Sequence, residues 1–154
     1  MPPTPHTQKL TLFLVFKQDA EEAMNLYTSI FKDAEVIQVI RAREGEPGWV
    51  AGTLQHARFS IGDQELMCIN TPPPGNPNRG MAAWEEFDFN PAMAIYVQCD
   101  SDEEFDRVYA ALADGGVVRA PVGRFGFSPK FAWVDDRHGV SWRLNLSPDK
   151  AAQQ

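Results

Sequence analysis

Apolar and polar positions run through the chain in the same order twice. Residues 10–16 form an almost wholly apolar run, which predicts a buried strand. Asp19 and Glu22 follow at the spacing of a capping box. Ala20, Ala23, Met24, Tyr27, Ile30 and Phe31 then recur at helical spacing, so an amphipathic helix is predicted. Residues 36–43 read as a strand and Glu44-Gly45-Glu46-Pro47-Gly48 as a turn. Residues 49–61 and 64–69 supply two more strands, joined as a hairpin at Gly62-Asp63.

The order then repeats. Residues 93–99 predict a strand, with Ile95, Val97 and Cys99 on one face and Ala94, Tyr96 and Gln98 on the other. Ser101 and Glu104 give a second capping box ahead of Phe105, Val108, Tyr109 and Leu112, and Gly115-Gly116 stops that helix. Short strands are predicted at 117–119 and 131–134, then a turn at Asp136-Arg137-His138-Gly139 and a last strand at 141–146. A lone strand–helix–three-strand module leaves one sheet face bare, so two must pair to bury a core. The predicted fold is α+β. Two βαβββ modules, residues 10–70 and 93–146, form one domain over residues 1–154, and residues 71–92 link them. In that linker Pro72-Pro73-Pro74-Gly75 reads as spacer. The aromatic segment 84–89 reads as packing on a module, on a partner subunit or at the mouth of a site.

Composition narrows the functional classes. With 44% hydrophobic and 23% charged residues, the chain suits a globular domain. Its 10 Phe and 4 Trp suit a site for flat or apolar molecules. The net charge of −7, with no cluster of Lys and Arg, argues against nucleic acid as a partner. No apolar run is long enough to cross a bilayer, so no membrane partner is expected. The opening residues through His6 read as a loose tail. Cys68 and Cys99 lie within apolar strands and read as reduced, inert core thiols, which points to the cytoplasm.

The last predicted strand carries the most pointed chemistry. Ser141, Arg143 and Asn145 share one face, and Trp142, Leu144 and Leu146 the other. If the polar face lines a concavity, Arg143 offers a fork of donors to a carboxylate, phosphate or phosphonate. The plainer reading is an arginine on a solvated or subunit-facing strand. Tyr96 and Gln98 either orient a ligand beside it or fill the interior. Trp49, Phe59, Trp84 and Trp133 are candidate aromatic walls, with core packing as the competing role. Asp135-Asp136-Arg137-His138-Gly139 reads as a hairpin turn rather than a His–Asp catalytic pair. Gly123-Arg124-Phe125-Gly126-Phe127 lacks the spacing of a phosphate cradle and reads as a flap. No glycine-rich strand-to-helix turn is present to hold a nucleotide-like cofactor, so methyl transfer is not supported.

Phe16-Lys17-Gln18-Asp19-Ala20-Glu21-Glu22-Ala23-Met24-Asn25-Leu26-Tyr27, with Ser29-Ile30-Phe31, resembles the opening signature of the PhnB-like family. That family is also called demethylubiquinone-methyltransferase-like, and it belongs to the glyoxalase/bleomycin-resistance (vicinal oxygen chelate) superfamily. Phe131-Ala132-Trp133-Val134-Asp135-Asp136-Arg137-His138-Gly139-Val140-Ser141-Trp142 is similar to the family's last hairpin. Over residues 10–146 the resemblance implies paired modules forming a curved cup or half-barrel with helices outside. Metal-using relatives place His and Glu at four cup-facing positions. By this resemblance they fall on Thr11 or Leu12, Met67 or Ile69, Ala94 and Arg143, none of them suited to a divalent ion. His6, His56 and His138 occupy none of these places.

Three readings follow. The first is a homodimeric small-molecule-binding protein without metal or cofactor, which holds an anionic or aromatic ligand with Arg143, Tyr96, Gln98, Ser141, Asn145, Trp49 and Phe59. The second is a metal-dependent or acid–base lyase or isomerase of the glyoxalase type. The third is a protein-interaction module working through residues 84–89.

Overall fold

The computed structural model describes residues 8–80 and 84–151, and the tail carrying His6 lies outside them. The chain divides into two compact units, Met1–Glu85 and Glu86–Gln154.

The first unit contains β1 (Leu12–Phe16), α1 (Ala20–Ile30), β2 (Ala34–Arg41), β3 (Leu54–Ile61) and β4 (Gln64–Asn70). The strands lie in the order β1-β4-β3-β2, with β1 parallel to β4 and the other pairs antiparallel. Alternation of side chains sends Leu14, Phe16, Ala57, Phe59, Leu66 and Cys68 to one face, where all are buried. Ala23, Met24, Tyr27 and Ile30 of α1 are buried as well, and the helix packs on β2, β3 and β4. Leu10 is 82% exposed and falls outside β1.

The predicted capping box at the start of α1 does not form. Asp19 makes no side-chain capping bond. The buried Asn70, fifty residues away at the end of β4, instead accepts the Ala20 N–H through Oδ1 at 2.9 Å. Its Nδ2 donates to the Leu54 carbonyl at 3.0 Å. One amide thus satisfies a helix-end donor and a strand-end acceptor that local sequence leaves open.

Residues 49–53 turn rather than extend β3. Glu46 holds this loop, accepting the Arg43 N–H at 2.9 Å and Gln55 Nε2 at 2.5 Å. The proline-rich segment is more than a spacer. Asn76 Nδ2 donates to the Pro47 carbonyl at 3.0 Å, Arg79 Nη1 donates to the Pro72 carbonyl at 2.7 Å, and Arg79 pairs with Glu85. Trp84 Nε1 donates to the Arg79 carbonyl at 2.6 Å, which ties the aromatic segment's start to the same unit.

The second unit repeats the plan: β5 (Ile95–Cys99), α2 (Asp102–Ala113), β6 (Val117–Phe125), β7 (Ser128–Asp135), β8 (Ser141–Leu146) and a short α3 (Pro148–Ala151). Strand order is β5-β8-β7-β6, again with the outer first strand parallel to its neighbour. Phe105, Val108 and Leu112 of α2 are buried, as are Ala132, Val134, Trp142, Leu144 and Leu146 of the sheet. Each large apolar side chain removed from water stabilises the unit by about 1.5–3 kcal/mol. Here the capping expectation holds, for Ser101 Oγ accepts the Glu104 N–H at 3.0 Å. Gly115 follows α2 at a φ of 74°, a left-handed conformation that glycine adopts without a Cβ penalty. A Cβ on Gly116 would sit 2.1 Å from the Asp135 carbonyl oxygen, so only glycine lets β6 begin there.

β6 is nine residues long, not the short strand predicted, and its pairing with β7 shifts register at three places around Pro121 and Gly123. The predicted flap at 123–127 is the end of this strand and its turn into β7. No helix among the described residues is long and apolar enough to cross a membrane. Both units match the expected α+β arrangement, each helix covering one face of its own mixed sheet.

Candidate anion site on the second sheet

Register decides which side chains share a face. In β8, Arg143 lies opposite Tyr96 of β5 and Trp133 of β7. Asn145 lies opposite Gln98 and Phe131, and Ser141 opposite Asp135. These residues alternate with the buried Trp142, Leu144 and Leu146, which belong to the α2 side. The sequence therefore placed Arg143, Tyr96, Gln98, Ser141 and Asn145 on one face, and the structure brings all five together.

The Arg143 guanidinium carbon is 4.1 Å from the centre of the Trp133 ring, within range for a cation–π contact. Trp133 Nε1 donates to Ser141 Oγ at 2.7 Å, which fixes the plane of the ring. Arg119 of β6 lies 5.9 Å from the same ring and pairs with Asp135 at 2.6 Å. Two guanidinium groups thus flank one indole, and one carboxylate neutralises one of them. Arg143 is half-buried, and among the described residues no carboxylate pairs with it. Its N–H fork remains available to an anion.

Two acceptors on this face lack donors. Asn145 Nδ2 donates to Gln98 Oε1 at 3.0 Å, but Asn145 Oδ1 is buried and unbonded, as is Asp135 Oδ1. Buried polar atoms are nearly always bonded, so a pair of exceptions on one sheet face is chemically informative.

Trp49 and Phe59 belong to the first unit. Phe59 is fully buried on the α1 side of its sheet, with its ring centre 6.2 Å from that of Tyr27. It is a core residue. Trp49 lines a hollow of about 150 Å³ with Gln55, Ile69, Asn70, Pro72 and Asn76. Trp84 lines a separate one of about 350 Å³ with Lys17, Gln18, Thr71, Arg79 and Glu85.

The sequence reading missed Arg119 and gave Asp135 to the turn. Their pairing spans β6 and β7, and the only local signal was a charged residue on each strand. Asp136 is the turn residue. It is buried and accepts the His138 and Val140 N–H groups through Oδ1 at 2.8 and 3.2 Å, and Trp142 Nε1 through Oδ2 at 2.8 Å. Gly139 closes the turn at a φ of 92°. The carboxylate is committed to structure, not to catalysis by His138.

Burial pushes the Cys68 and Cys99 thiols up to about 12, which leaves neither nucleophilic at neutral pH. His56 lies in β3 opposite Ile40 and Ile69. Its pKa is lowered, first by burial and then by the Arg58 charge. Among the described residues no three His, Cys, Asp or Glu side chains are grouped to hold a metal ion.

Comparison with known proteins adds to this geometry. A family model described as 3-demethylubiquinone-9 3-methyltransferase matches residues 8–145. The PhnB protein from Bacillus cereus is 42% identical and superposes at a TM-score of 0.78 over 91% of this chain and 100% of its own. Protein PA1353 from Pseudomonas aeruginosa is 25% identical, with a TM-score of 0.75 over 92% of this chain and 98% of its own. The fosfomycin resistance protein FosX from Listeria monocytogenes is 15% identical over 92% of this chain and 93% of its own; at a TM-score of 0.55 it shares the fold alone. No curated protein matches the sequence.

Proposed function

The chain belongs to the PhnB-like family of the vicinal oxygen chelate superfamily, and on that premise we propose that it binds a small anionic molecule on the face of its second sheet that carries Arg143, with Arg143 as the anchor. The observation that carries this reading is a half-buried guanidinium stacked on Trp133, with no carboxylate partner among the described residues. Arginine presents five donors in a fixed fork that matches a carboxylate or phosphonate. Stacking on the indole restricts its rotamers before the ligand arrives, so less freedom is lost on binding. Tyr96 and Gln98 flank the anchor from β5. The unbonded Asn145 and Asp135 oxygens call for donors that water bound beside the anion would supply.

A divalent metal of the superfamily type has no part in this reading. The four positions that the resemblance assigns to metal ligands carry hydroxyl, thioether, alkyl and guanidinium groups. A fixed cation at Arg143 would repel such an ion. Methyl transfer is likewise outside it, since two four-stranded mixed sheets provide no doubly wound crevice for a nucleotide-like cofactor. A homodimer belongs to the same reading. β2 and β6 are sheet edges with exposed Ile37, Ile40, Val117 and Val122, and apolar edges call for a cover.

Calorimetric titration with benzoate and phenylphosphonate tests the anchor. Arg143→Ala is expected to weaken both at least tenfold, with Arg143→Lys between it and the parent. Equal affinity in all three proteins would remove Arg143 from the site.

A further inference from the structure

We propose that the anion is an aryl acid, with its ring held by the phenyl cluster at the β6–β7 turn while Arg143 holds its acid group. This rests on the anion-site reading above and narrows it. Phe125, Phe127 and Phe131 form a three-ring cluster. The first two each stand edge-on to Phe131, with centres 5.1 Å away, and lie 5.9 Å from one another. Phe131 is buried, but Phe127 is 66% exposed and Phe125 36% exposed. Turn tips are ordinarily built from small and polar residues. Here Gly126 separates two phenyl rings that leave broad apolar surface uncovered.

The cluster and the anchor belong to one sheet face. Phe131 is the register neighbour of Asn145, and Trp133 that of Arg143. Arg143 and Phe131 are therefore diagonal neighbours, about 7–8 Å apart between their backbones. A molecule with its acid group at the guanidinium and a ring one or two bonds away suits side chains that rise from backbone positions this close. An aromatic ring suits the cluster better than a saturated one. Ring edges carry partial positive charge and ring faces partial negative, so a fourth aromatic ring extends the edge-to-face packing already present. Charge agrees, because among the described residues of this sheet the carboxylate on the face, Asp135, is paired with Arg119, and Arg143 is left to the ligand. A second copy of the chain is the competing cover for the same rings, and the sedimentation of each variant below tells the two apart.

The test compares benzoate with cyclohexanecarboxylate, which match in charge and carbon count, by calorimetry on the parent, Phe127→Ala and Arg143→Ala proteins. Sedimentation is run on each. Benzoate is expected to bind the parent about fivefold or more tightly. Phe127→Ala should bring the two acids to similar affinities, and Arg143→Ala should weaken both. Equal affinities in the parent, with Arg143→Ala still weakening both, would overturn the aryl inference and leave the anion site standing. Binding of neither acid would overturn both. A change of sedimentation with Phe127→Ala, without a change in the ratio of affinities, would assign the rings to a subunit contact and overturn the inference.

Discussion

The guanidinium of Arg143 stacks on its register neighbour Trp133, 4.1 Å from the ring centre, and Trp133 is itself held by Ser141. The anchor is thus set by a chain of contacts that runs along one sheet face. Trp133→Leu keeps the strand apolar but frees the guanidinium. It is expected to weaken benzoate about fivefold, equivalent to about 1 kcal/mol for a partly exposed cation–π contact. Calorimetry that shows unchanged affinity would mean the indole plays no part in presenting the anchor.

Asp136 should matter to stability. Its carboxylate bonds two backbone N–H groups of the turn and the buried Trp142 indole. Asp136→Ala strands those donors and is expected to cost about 3 kcal/mol, while Trp142→Phe loses one bond and costs about 1–2 kcal/mol. The double variant should lose less than the sum, because both changes remove the same bond. Urea denaturation of the four proteins reads this out.

The two helix starts make a matched pair for mutation. Ser101→Ala is expected to cost about 1 kcal/mol, as for an ordinary cap. Asn70→Ala should cost more, about 2–3 kcal/mol, since it leaves both the Ala20 N–H and the Leu54 carbonyl unpaired at a buried site. A smaller loss than that of Ser101→Ala would show that water reaches these groups.

That pair also shows what the sequence could disclose. The Ser101 cap is made three residues along the chain, so spacing alone reveals it. The Asn70 cap joins residues that only the parallel pairing of β1 and β4 brings together, and no local pattern announces it. The same division holds at the site. Alternation in β8 was enough to put Ser141, Arg143 and Asn145 on one face, and their partners Tyr96 and Gln98 followed from β5. Arg119 became visible only through pairing across β6, a strand shortened in the sequence reading because Pro121 and Gly123 look like breakers. Phe59 fits a period of two on either face, and only the position of α1 decides that it is core. Trp49 and Val50 are apolar enough to read as strand, yet Glu46 draws their segment into a loop.

His56 predicts a pH dependence. Burial and the Arg58 charge hold its folded pKa below the ordinary value of 6.5, so the unfolded chain binds the proton more readily. Stability from the neutral ring is therefore fully present above about pH 6.5 and is lost as the pH falls toward the folded pKa. Its Nδ1 is buried without a bond and its neighbours across the sheet are Ile40 and Ile69, so an apolar side chain suits the place. His56→Leu should leave the urea midpoint at pH 7.5 unchanged or higher, and should flatten its decline between pH 7 and pH 5. An equally steep decline in the variant would assign that dependence to other groups.

The indole and guanidinium N–H signals report on the anion site most directly. In a two-dimensional NMR titration with benzoate, the Arg143 Nε–H and Trp133 Nε1–H resonances should shift together and saturate, while the Trp142 indole, bonded to Asp136 within the core, stays in place. Loss of the Trp133 Nε1–H shift in Arg143→Ala would complete the result. Saturable shifts confined to the Trp49 and Trp84 indoles of the first unit, with Trp133 and Arg143 unmoved, would contradict a site centred on Arg143.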